Sequence, residues 1–161
     1  MSAATQSHPA ATHAAPLIFV VDDEPVFADI VGELLQMEGY RICVFHDSKT
    51  AVEALSNSTV KPDLLLADFK MPGLNGLELL ARGKSQIRSL KTILISGMAS
   101  ELNLGEHGFH PDLCVSKPFP LATLLKSVRR TLVSEDLSPG KSEPKPASSP
   151  QPWTVSDAHP P

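Results

Sequence analysis

The sequence predicts an α/β domain in which helices wind on both faces of a five-stranded parallel sheet. Two patterns carry this expectation. Short apolar runs alternate with stretches of helical periodicity, and four of the runs stop abruptly at polar groups: Leu17-Ile18-Phe19-Val20-Val21 at Asp22, Leu64-Leu65-Leu66-Ala67 at Asp68, Thr92-Ile93-Leu94-Ile95 at Ser96, and Leu113-Cys114-Val115 at Ser116-Lys117. Near-continuous apolar runs are expected of strands covered on both faces. Strands separated by helices imply right-handed crossovers, hence a doubly wound parallel sheet. The C-terminal ends of such strands share one edge, and ligands bind in the crevice there. Asp22, Asp23, Asp68, Ser96 and Lys117 should therefore converge.

The elements follow in order. Pro25 can open a helix, in which Val26, Ile30, Leu34 and Met37, with Phe27, Val31 and Leu35 beside them, form an apolar face that ends at Gly39. Arg41 to Phe45 reads as a strand, and Ser48 is the expected N-cap of a helix carrying Ala51, Val52 and Leu55. Pro62 and Asp63 precede the third strand, and Asn75-Gly76 precedes a helix built on Leu77, Leu79 and Leu80. The last helix, roughly 120–133, places Leu121, Leu124, Leu125, Val128 and Leu132 on one face, with Arg129 and Arg130 near its end to suit the dipole. Gly105, Gly108 and Pro111 interrupt 99–111, so a helix there should be short or irregular.

The flanks differ in composition. Residues 1–16 lack apolar periodicity and read as a disordered N-terminal tail, where His8 and His13 have no third ligand with which to hold a metal. Residues 134–161 contain seven prolines and six serines and read as a disordered, partly polyproline C-terminal tail. Trp153 within it is either incidental or a short docking motif. That leaves one domain, 17–133.

Global composition narrows the function classes. The 161 residues suffice for one domain of ordinary size, and the 14 basic residues form no long run in a chain of net charge −4, so no nucleic-acid partner is expected. No apolar stretch approaches the roughly 20 residues of a membrane span. Cys43 and Cys114 sit in strand-like runs without a CxxC or a secretory signal, which predicts buried reduced thiols and a cytoplasmic protein.

The acidic pair Asp22-Asp23, the Asp-x-x-Met-Pro-x-x-x-Gly pattern from Asp68 to Gly76, Ser96-Gly97 and Lys117-Pro118-Phe119 occur in that order. Together they resemble the receiver domains of two-component response regulators, of the stand-alone chemotaxis-regulator kind, over 17 to about 133. The resemblance implies the flavodoxin-like strand order 2-1-3-4-5. It implies Asp68 as phosphoacceptor, with Lys117 and Ser96 completing the catalytic set. Mg²⁺ (or Mn²⁺) would be bound by Asp23, Asp68 and the Lys70 carbonyl, with Asp22 acting mainly through water; crowded carboxylates suit a hard cation that keeps several waters. It also implies a cis Lys117–Pro118 bond. The implied donor is a sensor histidine kinase or a histidine phosphotransfer protein, and the output is an altered surface read by an unknown effector. The chain would then be a phosphoacceptor with only intrinsic phosphotransfer and autodephosphorylation activity, not an enzyme acting on other substrates.

Two departures stand out against the family. Cys114, three residues before Lys117, replaces the usual aromatic, and the interval from Ser96 to Lys117 is about one residue short. A phosphorelay intermediate or phosphate sink without an effector is therefore the alternative reading. A vestigial interaction module is opposed by the complete motif set. An aspartyl-nucleophile phosphatase is opposed by Lys70, where a second carboxylate would stand.

Overall fold

The computed structural model describes residues 14–57, 59–97 and 108–133. Its elements are β1 (Leu17–Val21), α1 (Pro25–Met37), β2 (Arg41–Phe45), α2 (Ser48–Asn57), β3 (Leu64–Asp68), α3 (Gly76–Gln86), β4 (Lys91–Ser96), β5 (Leu113–Ser116) and α4 (Leu121–Val133). All strand pairings are parallel, and the order is β2-β1-β3-β4-β5. The predicted sheet is present. Positions 1–13, most of 99–111, and the tail with Trp153 lie outside the described residues, as do His8 and His13.

Alternate residues of the strands feed two cores. Leu17, Phe19, Val21, Leu65, Ala67 and Leu94 pack with Ala51 and Leu55 of α2 and Leu77, Leu79 and Leu80 of α3. Ile18, Val20, Leu64, Leu66, Ile93, Ile95 and Val115 pack with Val31 and Leu35 of α1 and Leu124 and Val128 of α4. Every residue of β1 and β3 is buried, as expected of central strands roofed on both sides. Each fully buried Leu or Ile contributes about 1.5–3 kcal/mol of transfer free energy.

Three expectations need correction. The apolar face expected of α1 is only partly the buried one: Val31 and Leu35 are buried as expected and Phe27 packs against them, but Val26, Ile30 and Met37 are exposed and their place is taken by Ala28 and Gly32. Close approach explains the choice, since a Cβ on Gly32 would lie 2.7 Å from Val44 Cγ2. Small residues let the helix settle against β2. Both cysteines are exposed rather than buried, because β2 and β5 are the two edges of the sheet and have a strand on one side only. Ser48 is not the cap of α2. It is the first helical residue and its Oγ donates to the Pro72 carbonyl at 3.4 Å, while the Asp47 carboxylate accepts from the Thr50 amide at 2.8 Å.

Other terminal signals behave as read. Gly39 follows α1 with φ +91°, a conformation that favours glycine. Arg129 of α4 donates to Glu38 at 2.9 Å and so links the ends of two helices on one face. Among the described residues no helix is long and apolar enough to cross a membrane.

The cap on α2 gives a test. The Thr50 amide and hydroxyl hold the Asp47 carboxyl below its ordinary value of 3.8. A depressed carboxylate stabilises the fold fully above the unfolded value, and that contribution disappears as pH falls through the folded one. Asp47→Ala should therefore lower stability at neutral pH by about 1 kcal/mol, a typical N-cap loss. Thermal melts at descending pH should show wild type and variant converging below the unfolded value.

Candidate functional site

The C-terminal ends of β1, β3, β4 and β5 bring the predicted polar residues to one edge. Asp22 and Asp68 are 2% and 7% exposed, Ser96 is buried in register with Ser116, and Asp23 lies exposed at the rim. Lys117 spans the acids, its Nζ donating to Asp68 Oδ1 at 2.7 Å and to Asp22 Oδ2 at 3.5 Å. The Lys117–Pro118 bond is cis.

Local backbone hydrogen bonds fix these groups. Asp68 Oδ2 accepts from the Lys70 amide at 2.7 Å, which leaves Oδ1 to Lys117. The Phe69 amide donates to the Ile95 carbonyl at 2.7 Å, and the Lys117 amide to the Ser96 carbonyl at 2.7 Å. Asp22 Oδ1 accepts from the Glu24 amide at 2.9 Å, and α1 has no side-chain cap. The Asp22 carboxylate is thus spent on the crevice and on its own turn. Helix capping does not account for it.

Gly76 shows why this turn demands glycine. The Asn75 side chain and Glu78 form a capping box that starts α3 directly beneath Asp68. A Cβ at Gly76 would stand 2.1 Å from the Asp68 carbonyl oxygen and 2.9 Å from Leu94 Cδ1. At Gly97, by contrast, a Cβ would meet nothing within 4 Å among the described residues.

Electrostatics follow from one ammonium set against two buried carboxylates. Burial is the largest influence on Asp22 and raises its pKa, with the Asp68 charge acting in the same direction; the Glu24 amide and Lys117 oppose it. For Lys117, burial alone would lower the pKa, but the hydrogen bond to Asp68 and the charges of Asp22 and Asp68 outweigh it and the net shift is upward. The ammonium is firmly charged. Among the described residues no three His, Cys, Asp or Glu side chains form a metal cluster, and Asp23 is exposed where the other two acids are buried. The donor set nevertheless fits Mg²⁺, which takes one or two carboxylates, oxygens from a phosphoryl group, and water. The uncompensated carboxylate supplies the charge.

The sequence did not announce the aromatic neighbours of Lys117. Its Nζ lies 4.5 Å from the centroid of Phe27, and that ring meets Phe119 edge-on at 6.3 Å and 73°. Phe27 stands four residues after Asp23 in the first turn of α1, and Phe119 two after Lys117; those offsets were the available signal. Nor did any motif reveal that Asp112 accepts from the amide and hydroxyl of Thr92, both at 2.7 Å, so tying the start of β5 to β4.

Fold and strand-end residues together define a phosphoacceptor signalling domain. The sequence model of the response regulator receiver domain matches residues 18–129, and the chain belongs to that family. It is 33% identical over 121 residues to the transcriptional regulatory protein CpxR of Escherichia coli, covering 71% of this chain and 48% of CpxR. Against the putative two-component response regulator ARR21 of Arabidopsis thaliana it is 34% identical over 98 residues, 58% of this chain and 16% of the relative. The chain thus spans about half or less of these relatives. Among solved structures, a CheY-like receiver domain protein of Methanospirillum hungatei superposes with TM-score 0.67 at 26% identity, over 73% of this chain and 94% of that one. The response regulator TrrA of Thermotoga maritima, solved in complex with Mg²⁺-BeF, gives 0.64 at 28% identity, over 72% and 98%.

Two stability outcomes follow from the site. Gly76→Ala should cost about 3 kcal/mol in urea denaturation, the upper range of overpacking, because the obstacle is backbone. Asp22→Asn should raise the metal-free melting temperature at neutral pH. A raised carboxyl pKa means that the charged form is disfavoured in the fold; this penalty acts above the folded pKa and is absent below the ordinary 3.8, so the gain should fade on acidification.

Proposed function

We propose that this chain accepts a phosphoryl group from a partner phosphohistidine onto Asp68, with Mg²⁺ required, and signals in the cytoplasm by changing a protein-binding surface. The observation that carries the reading is the 2.7 Å contact between Lys117 Nζ and Asp68 Oδ1 at the strand-end edge, with Asp22 beside it. Asp68 Oδ1 would attack phosphorus in line as the bond from phosphorus to the histidine nitrogen breaks, giving an aspartyl phosphate. Lys117 would then pair with an equatorial phosphoryl oxygen, so that catalysis is positioning plus electrostatics. Ser96 would donate its hydroxyl to another, coupling the chemistry to the end of β4. Asp23, Asp68 and the Lys70 carbonyl would hold the metal directly, and Asp22 through water. When bound, the ion would supply the positive charge that two carboxylates and a phosphoryl group require.

The donor is proposed to be a histidine kinase or a histidine phosphotransfer protein. Support comes from the stripe on α1 that begins three residues after Asp23: Val26 is 68% exposed, Ile30 46% and Met37 85%. A partner protein would bury that stripe beside the acidic crevice. The second reading, a phosphorelay intermediate or sink with no effector, is favoured by the exposed cysteine at 114, which can offer no aromatic ring to an output surface. Transfer of label onward to a second histidine protein on mixing would distinguish it.

Labelling by acetyl phosphate tests the nucleophile. Wild type should gain a hydroxylamine-labile phosphoryl group, Asp68→Asn none, and Asp23→Ala about a tenth or less, as expected when a metal-borne electrostatic contribution of several kcal/mol is weakened. Excess chelator should abolish labelling. Full labelling of Asp68→Asn would move the nucleophile elsewhere, and labelling undiminished by chelator would remove the metal.

A further inference from the structure

Three contacts of the Lys117 ammonium are seen among the described residues, and two of them are to the acids already described. The third is the face of Phe27, 4.5 Å from Nζ to the ring centroid. That distance is within cation–π range, and the ring quadrupole presents negative charge to a cation above its face. Phe119 meets Phe27 edge-on, and both rings pack against the α1/α4 core cluster, so the ring beneath Lys117 is braced by its neighbours. A half-buried Phe in the first turn of α1 could be mere packing. Packing alone does not require the ring face to be turned toward the ammonium.

Resting on the Asp68 reading, we propose that Phe27, braced by Phe119, is a positioning residue that keeps the Lys117 ammonium over the crevice through its ring face. The reason lies in what changes during the reaction. Lysine carries its charge on a flexible four-carbon stem. Once Asp68 Oδ1 is esterified it no longer offers a full carboxylate charge, and Lys117 loses its shortest contact. Asp22 keeps its carboxylate but lies 3.5 Å away and would be shared with the metal, whereas the ring face offers the ammonium the same contact before and after the reaction. The ammonium therefore slides along the ring to a phosphoryl oxygen instead of swinging into solvent. An aliphatic side chain would fill similar volume but would not hold the charge.

The test uses the full chain with Phe27 replaced by mono-, di- and trifluorinated phenylalanine, which weaken the quadrupole stepwise at nearly constant volume, together with Phe27→Tyr and Phe27→Leu. In metal-free protein, the Lys117 ε-proton resonances should show an upfield ring-current shift that Phe27→Leu abolishes. The dissociation constant of beryllofluoride, measured with Mg²⁺ as a phosphoryl mimic, should rise with each fluorine to about fivefold for the trifluoro variant. Phe27→Tyr should match wild type, and melting temperatures should stay level across the fluorinated series, which keeps the test informative if Phe27→Leu folds poorly. A flat affinity series with normal wild-type binding, or absence of the ring-current shift, would overturn the role of Phe27 alone. Failure of the wild type to bind beryllofluoride would overturn the Asp68 reading and this role with it.

Discussion

The arrangement of the strand-end edge depends on Lys117 reaching Asp68. The two residues are not on neighbouring strands: β4 lies between β3 and β5, so the side chain must cross the end of β4 to arrive 2.7 Å from the carboxylate. Ser96 and Gly97 form that end, and both are small. The Lys117 amide is anchored to the Ser96 carbonyl, which sets where the side chain begins its crossing. Asp112, gripping Thr92 at the opposite end, holds β5 in the same register along its length. A slip of β5 by one residue would carry Lys117 off the crevice and turn Val115 out of the core.

The ion pair is poised rather than optimised for stability. Two buried carboxylates share one ammonium, and desolvation raises the proton affinity of Asp22 despite that neighbour. A buried charge group of this kind gains little net stability from its Coulomb energy, because desolvation offsets most of it. Partial exposure of Lys117 reduces the magnitude further. What the arrangement provides is a negatively charged crevice with one ammonium shared between its two acids. An incoming cation can balance such a crevice, and an incoming anion can draw the lysine toward itself.

Much of this was legible in the sequence, and the failures have physical causes. The strands could be read because a strand buried on both faces must be apolar throughout, and because each ends where polar groups begin. The face of α1 could be read only in part by counting large apolar residues: Val31 and Leu35 are buried, but the sheet selects the side they share with Ala28 and Gly32, which can approach closely, and leaves Val26, Ile30 and Met37 outside. Apolar character at Cys43 and Cys114 indicated strand but did not locate the edge, and burial in a sheet depends on neighbours as much as on composition. Asp68, Lys117, Asp22 and Ser96 gather as expected because each terminates a strand, whereas Asp23, one residue further on, stays at the rim. Phe27 and Phe119 were missed because a ring beneath an ammonium links residues 90 positions apart with no spacing rule to mark it.

The departure at Cys114 acquires a structural meaning from its register. Cys114 pairs with Leu94, whose side chain belongs to the core shared with α2 and α3, so the cysteine lies on that face of the sheet. Although exposed, it is crowded enough that burial pushes its thiol pKa upward, and it remains a neutral, compact side chain. Phe109 packs against the same core from the segment leading into β5. Phe109 is thus one of the rings on this face, with Phe19, Phe45 and Phe69, while the strand position at 114 itself offers only a thiol. Movement at Ser96 can reach β5 through the Lys117 amide that the Ser96 carbonyl accepts, a backbone connection that requires no ring at position 114. Signal transmission by this route needs displacement of the strand end and places no demand on a side-chain rotamer.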